Sequence, residues 1–266
     1  MTMTQELKGR TAVVTGGTSG IGLATAQQLL NLGANVAICG RNADRLTEAE
    51  TVLGANDNGS RLLAETCDVL QPDQVAGFRE EVENRFGGLD ILVNNAGQGR
   101  VSTFADTTDD DWREELDLKF FGVIHPTRAF LPLLEQSDQA AVVCVNSLLA
   151  AQPEPHMVAT SAARAGLLNL VHSLAIEFAP RGIRVNSILL GLVESGQWHR
   201  RFDAREDQGQ DWQQWTADLA AKKGIPLGRL GRPEEAASAI VFLATPRSSF
   251  TTGSHIDVSG GLARHV

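Results

Sequence analysis

The chain has 266 residues, 42% of them hydrophobic and 21% charged, with a formal net charge of −9 and an isoelectric point near 5.2. That length can bury a substantial core in one large α/β domain or two small ones, and the composition excludes extended disorder. The acidic balance argues against a nucleic-acid or anionic-membrane surface, which needs clustered Lys and Arg, and leaves a small molecule as the expected partner.

The opening MTMTQELKGR lacks the apolar core of a signal peptide. No apolar run approaches the roughly 18 residues of a membrane span, so a cytoplasmic location is expected. Short β-branched runs at 11–16, 35–40, 62–69, 90–97, 140–147, 183–191 and 255–261 alternate with segments such as IGLATAQQLLNLG, whose apolar residues recur three and four apart. That alternation predicts βαβ units on a parallel sheet with helices on both faces, and the motif order favours one domain over 1–266.

The first βα unit reads VVTGGTSGIGLATAQQL and places Gly16, Gly20 and Gly22 between a strand and an amphipathic helix. Glycines there permit a tight turn, bring backbone N–H groups close to a phosphate and let helix and strand pack together, while the helix N-terminus favours anions. The second strand ends ICGRN, so Arg41 and Asn42 follow it where a ribose-binding acid would otherwise stand. An arginine suits a 2′-phosphate, which favours NADP(H) and leaves NAD(H) as the alternative.

Cys39, Cys67 and Cys144 lie within or at the ends of strand-like runs without a CxxC pair. They read as buried reduced thiols, and no metal is assigned. The alternation breaks at 192–225, a polar segment carrying Trp198, Trp212 and Trp215. It is expected to form a lid over the ligand cleft, the alternative being a surface or oligomer-contact insertion. Those tryptophans, with HRR at 199–201, hint at an aromatic or anionic substrate, and read equally as packing of the lid itself or as a subunit contact.

With TGGTSGIG at 15–22, NNAG at 94–97, VNS at 145–147, IRVNSI at 183–188 and PLGRLGRPEE before a helix, the chain resembles the classical short-chain dehydrogenase/reductase family from about residue 7 to 262. The resemblance implies a seven-stranded Rossmann-type doubly wound sheet and a homo-tetramer or homo-dimer built from helices and the C-terminal region. It places Thr15, Gly16, Thr18, Ser19, Gly20, Ile21 and Gly22 around the pyrophosphate and Asp68 and Val69 at the adenine. Asn95, Ala96 and Gly97 fall at the adenosine ribose side. Gly191, Val193 and Ser195 fall at the nicotinamide carboxamide, in a segment that normally begins with proline but has Leu190 here.

Family chemistry uses an asparagine, a serine, a tyrosine and a lysine four residues after the tyrosine. Ser147 stands at the serine position, but the next two positions hold Thr160 and Arg164, and the asparagine is replaced by Lys119. No slip of alignment restores the phenol, because the chain contains no tyrosine. A threonine hydroxyl is not an acid at neutral pH, and a guanidinium binds ribose without shuttling protons.

Lys119 is the first candidate to have taken over proton transfer, because a neighbouring Arg164 and burial would lower its pKa. The alternative is a lysine paired with a carboxylate or turned to solvent. His156, four residues before Thr160, joins the cleft only where the helix already starts there, and the preceding PEP favours an extended lead-in. Three functions follow. They are an NAD(P)(H)-dependent oxidoreductase acting on a carbonyl or alcohol with an altered proton site, a catalytically silent cofactor-binding partner or regulator, and a non-redox enzyme on the same scaffold.

Overall fold

A computed structural model describes residues 5–55, 58–205 and 209–264. Its elements are β1 (Thr11–Thr15), α1 (Gly20–Asn31), β2 (Asn35–Gly40), α2 (Ala43–Gly54), β3 (Leu62–Thr66), α3 (Pro72–Phe86), β4 (Ile91–Asn94) and α4 (Asp109–Leu134). They continue with β5 (Ala141–Ser147), α5 (Val158–Phe178), β6 (Arg184–Leu190), α6 (Gly196–Asp203), α7 (Trp212–Lys223), α8 (Pro233–Ala244) and β7 (His255–Val258). The seven strands form one sheet in the order β3-β2-β1-β4-β5-β6-β7, and every neighbouring pair is parallel. The chain is thus a seven-stranded Rossmann-type α/β fold.

Each predicted strand is present. The runs expected at 62–69, 90–97 and 255–261 extend past the ladder, which stops at Thr66, Asn94 and Val258. Cys67–Val69 and Asn95–Gly97 leave the sheet to line a cleft at its carboxyl edge. Because β1 has β2 on one side and β4 on the other, the winding reverses there and a crevice opens between the βα loops.

The period of two along each strand feeds two cores. Val13, Leu92, Val142 and Val185 face one layer with Phe78 and Phe130 of α3 and α4. Val14, Val36, Ile91 and Val143 face the other, with Leu29 of α1 and Ile240 of α8. Cys39, Cys67 and Cys144 are free and buried, as expected, and burial pushes the Cys144 thiol up to about 12.

The irregular segment folds as α6 and α7, with residues 206–208 of the expected insertion lying outside the described residues. Its tryptophans pack on one another rather than standing free. Trp212 stacks on His199 at 4.0 Å and lies 5.7 Å from Trp215, which meets Trp198 at 6.3 Å. Trp198 also closes a small apolar cluster with Leu148, Leu189, Ala220 and Leu230, which fastens these helices beside the end of β6. Among the described residues, no helix is long and apolar enough to cross a membrane.

Candidate active site

A cleft of about 710 Å3 runs along the carboxyl edge, from Arg41, Asn42 and Arg45 past the loops after β1 and β4 to Glu194, Ser195 and Gly196. Of the residues expected to hold the cofactor, Gly16, Thr18, Ser19, Gly20, Ile21, Arg41, Asn42, Asp68, Val69, Asn95, Ala96, Gly97, Arg164 and Ser195 line it. Thr15, Gly22, Gly191 and Val193 do not; they stand behind it. Thr15 Oγ1 accepts from the N–H groups of Asn95 and Ala96 at 3.0 and 3.1 Å and so joins the two loops. Val193 is buried and forms an isolated bridge with Gly231.

The cradle is shaped by what its glycines lack. Gly16 has φ +64, a left-handed conformation that penalises a side chain, and a Cβ there would come within 2.9 Å of the Ala96 Cα. A Cβ at Gly22 would sit 2.3 Å from the Gly16 carbonyl oxygen. Asn95 ties the turn from beneath, its Nδ2 donating to the Thr15 and Gly16 carbonyls at 3.0 Å each. Asn42 caps α2 by accepting from the Arg45 N–H at 2.8 Å. Arg41 and Arg45 are exposed. Gly40, Arg45, Cys67, Gln98, Leu118 and Glu194 also line the cleft. They are pocket walls that follow from the loops already identified and carry no motif of their own.

At the other end Arg164 projects from α5. Its Nη1 donates to the Val145 carbonyl at 2.7 Å, while its Nε is buried without a partner among the described residues. Burial pushes the guanidinium down to about 10, against the pull of Glu115. Ser147, at the end of β5, has a hydroxyl that donates to the Leu190 carbonyl and accepts from the Leu149 N–H, both at 3.3 Å.

Behind Arg164 lies a buried polar cluster. Lys119 is 2% exposed and Glu115 is 3% exposed. Lys119 Nζ donates to Glu115 Oε2 at 3.0 Å, one helical turn apart on α4. The Thr160 hydroxyl donates to the same oxygen at 2.6 Å and accepts from the Arg100 N–H at 3.0 Å. Burial, then the charge of Arg164, push the Lys119 amine down to about 8, although Glu115 opposes them. Lys119 is thus paired with a carboxylate, and its pKa is depressed as well. Neither Lys119, Thr160 nor Ser147 lines the cleft itself.

The segment entering α4 places this cluster. Thr108 caps the helix in a reciprocal box with Asp111, whose N–H donates to Thr108 Oγ1 at 3.2 Å and whose carboxylate accepts from the Thr108 N–H at 3.1 Å. The Arg100 side chain pairs with Asp111 and Glu114, fixing the loop that meets Thr160. His156 is not on the helix, because α5 begins at Val158 after the Pro-Glu-Pro lead-in. Its ring is half exposed, with Nε2 3.0 Å from Glu154 Oε2, and it lines a separate cavity with Arg100 and Asp111.

Residues 16–263 match the family model described as Enoyl-(Acyl carrier protein) reductase. The chain belongs to the short-chain dehydrogenase/reductase family. Among curated relatives, an uncharacterized short-chain type dehydrogenase/reductase of Sinorhizobium fredii is 35% identical over 97% of this chain and 99% of its own. The 3-oxoacyl-[acyl-carrier-protein] reductase of Vibrio cholerae is 31% identical over 96% and 98%.

Proteins of known structure match over nearly the whole chain as well. A short-chain oxidoreductase of Pseudomonas aeruginosa PAO1, described as containing an atypical catalytic center, matches in its apo form at 66% identity and TM-score 0.96, over 98% of this chain and 100% of its own. Its NADPH-bound form matches at 65% identity and TM-score 0.94 over the same shares. L-sorbose reductase of Gluconobacter frateurii, complexed with NADPH and L-sorbose, matches at 33% identity and TM-score 0.93 over 99% and 100%. The chain is thus an NAD(P)-dependent oxidoreductase of the short-chain type.

Glu115 was missed from the sequence. The signal was present as a Glu and a Lys four apart on one helix face, but an i,i+4 pair usually marks a solvated surface, and nothing in the run announced burial.

Proposed function

We propose that the chain is an NADP(H)-dependent oxidoreductase acting between a carbonyl and an alcohol, with Lys119 Nζ holding the exchangeable proton. The observation that carries this reading is the buried Lys119–Glu115–Thr160 cluster set directly behind Arg164, which itself closes one end of the cleft. The pocket fits a dinucleotide. A turn that leaves no room for a Cβ at Gly16 or Gly22, against Ala96 and the Gly16 carbonyl, sets the loop at the N-terminus of α1 where a pyrophosphate fits. At its far end Arg41 and Arg45, which make no ion pair among the described residues, meet no acidic residue in the Gly40–Asn42 stretch and suit a 2′-phosphate. The bound NADPH of the Pseudomonas relative supports the same choice over NAD(H).

A bound nicotinamide supplies the hydride. The chain does the rest. Arg164 holds the ribose hydroxyls in place of a lysine and keeps its charge fixed, since a guanidinium does not give up its proton. Ser147 offers its hydroxyl to the substrate oxygen. Lys119 Nζ donates a proton to that oxygen in reduction and takes it back in oxidation, at a pKa of about 8 that suits both directions. α6 and α7 act as a lid, with Ser195 and Gly196 at the rim of the cleft. We further propose one cytoplasmic domain assembled as a homo-tetramer or homo-dimer. Exposed Phe121 and Ile176 on α4 and α5, with Phe242 and Phe250 near the C-terminus, mark the surfaces such contacts would cover.

A second reading rests on the same geometry. Because Lys119, Thr160 and Ser147 all stand back from the cleft, the chain could bind cofactor without turning it over and act as a partner or regulator. Titrating NADPH by fluorescence and then assaying a panel of ketones and alcohols separates the two. Wild-type turnover abolished by Lys119→Met supports the oxidoreductase. Tight NADPH binding with turnover appearing only in a Thr160→Tyr/Arg164→Lys variant supports the silent reading.

A further inference from the structure

We propose that Glu115 is a positioning residue for proton transfer, one carboxylate oxygen holding both the Lys119 ammonium and the Thr160 hydroxyl in the buried cluster. The inference rests on the reading that Lys119 carries the proton, and it adds a residue that no motif of the chain marks.

The geometry is specific. Two donors from different elements, Lys119 Nζ on α4 at 3.0 Å and Thr160 Oγ1 on α5 at 2.6 Å, converge on Glu115 Oε2. The threonine hydroxyl has one proton. Its acceptors are this oxygen and, at 3.2 Å, the Arg100 carbonyl, so the carboxylate is the shorter of the two. Thr160 therefore pins the carboxylate from the helix that also bears Arg164, and the hydroxyl is occupied rather than free to act on substrate. In the place where the family keeps a phenol, this chain keeps a tether.

Charge explains why the carboxylate is needed. Lys119 faces Arg164 from α5 and Arg100 from the loop before α4, and it meets a carboxylate in Glu115 on its own helix. Arg164 likewise meets Glu115, while the Arg100 charge is already shared between Asp111 and Glu114. Two cations confined in a dry pocket repel, and without a buried anion the one able to lose its proton, Lys119, would stay neutral and unable to donate. Glu115 keeps that proton on Nζ at neutral pH. It also fixes the direction in which the amine points. In reduction the N–H bond of Lys119 breaks as the substrate oxygen gains the proton, which leaves a neutral amine that solvent then reprotonates.

The full chain contains four lysines, Lys8, Lys119, Lys222 and Lys223, so an NMR titration with 13Cε-labelled lysine resolves Lys119 without any substrate. Lys119→Met assigns the signal. In Glu115→Gln, which keeps shape and removes charge, the Lys119 midpoint should fall by about one unit or more. Glu115→Asp should recover part of the shift. Thr160→Val frees the carboxylate from its second donor and should move the midpoint upward. An unmoved midpoint in Glu115→Gln, with melting temperature and NADPH affinity preserved, overturns the assignment. Should Glu115→Gln fail to fold, Thr160→Val decides, and a midpoint unchanged there overturns the tether. The reading beneath is tested separately. In Glu115→Gln the alkaline limb of ketone reduction should move down with the lysine midpoint, and a limb that stays while the midpoint moves refutes proton donation by Lys119.

Discussion

Replacing Lys119 by methionine, which keeps the length of the side chain and deletes the amine, should change how stability depends on pH. The lysine is 2% exposed. Its amine is pushed down to about 8 from an ordinary 10.5, first by burial and then by Arg164. Between those values the unfolded chain binds more protons than the folded one, so stability rises with pH across the window. Below about 8 the amine is charged in both states and the whole penalty of burying it is present; above 10.5 it is neutral in both and the penalty is gone. The gain over the window is about 3 kcal/mol, or roughly 6–12 °C in Tm for a domain of this size. Lys119→Met lacks this term. Urea unfolding of both proteins across the window, at constant m-value, gives the wild-type-minus-variant difference, which should climb by that amount. The chain has no tyrosine, and the cysteines and remaining lysines cancel in the subtraction. Parallel curves would show that the amine is not depressed, and the electrostatic argument for the site would fall with it.

Arg41→Ala should weaken NADPH by about tenfold to a hundredfold, the loss of a charge-assisted contact to phosphate, while leaving NADH nearly unchanged. Fluorescence titration of both cofactors checks this, and an equal loss for both would detach Arg41 from the 2′-phosphate. Gly22→Ala forces a Cβ to within 2.3 Å of the Gly16 carbonyl and 2.5 Å of Asn95 Nδ2. It should cost about 1–3 kcal/mol of stability and disturb the cradle enough to reduce cofactor affinity, as thermal melts with and without NADPH would record. A variant with wild-type melting and binding would mean that the loop gives way freely.

The sheet was legible because burial on both faces makes its strands near-continuous apolar runs, and because helix spacing between them is unmistakable. The cleft was legible for a related reason: turns such as Gly16 and Gly20 admit few residues, so their chemistry is written locally. The strand ends were not, since the runs carry on in sequence through Cys67–Val69 and Asn95–Gly97, and these residues leave the ladder where the loops open the crevice. His156 was legible too, since the Pro-Glu-Pro lead-in favours extended chain and α5 begins only at Val158. The tryptophans read equally as a ligand surface, as lid packing or as a subunit contact, and they pack on each other. Glu115 stayed hidden because its partner Thr160 is 45 residues away, and spacing along one helix cannot report which face a second helix covers.

The replaced positions act as a set, and this makes the result of reverting them predictable. Arg164 is a cation that cannot release its proton, Lys119 is a second cation beside it, and Glu115 is the anion that lets both be buried. Thr160, too short to reach as a phenol would, supplies the hydrogen bond that orients this anion. Restoring only Thr160→Tyr and Arg164→Lys places a phenol near two lysines while removing the hydroxyl that holds Glu115. The carboxylate then keeps a single strong partner, and the new phenol competes with Lys119 for it. Adding Lys119→Asn removes that competition. The triple variant should therefore exceed the double in ketone reduction by about tenfold or more, the usual contribution of one well-placed acid or base, with NADPH affinity the same in both. Measured kcat for the double and triple variants on one substrate decides the matter. A double variant already as active as the triple would mean that Lys119 and Glu115 do not shape the proton site.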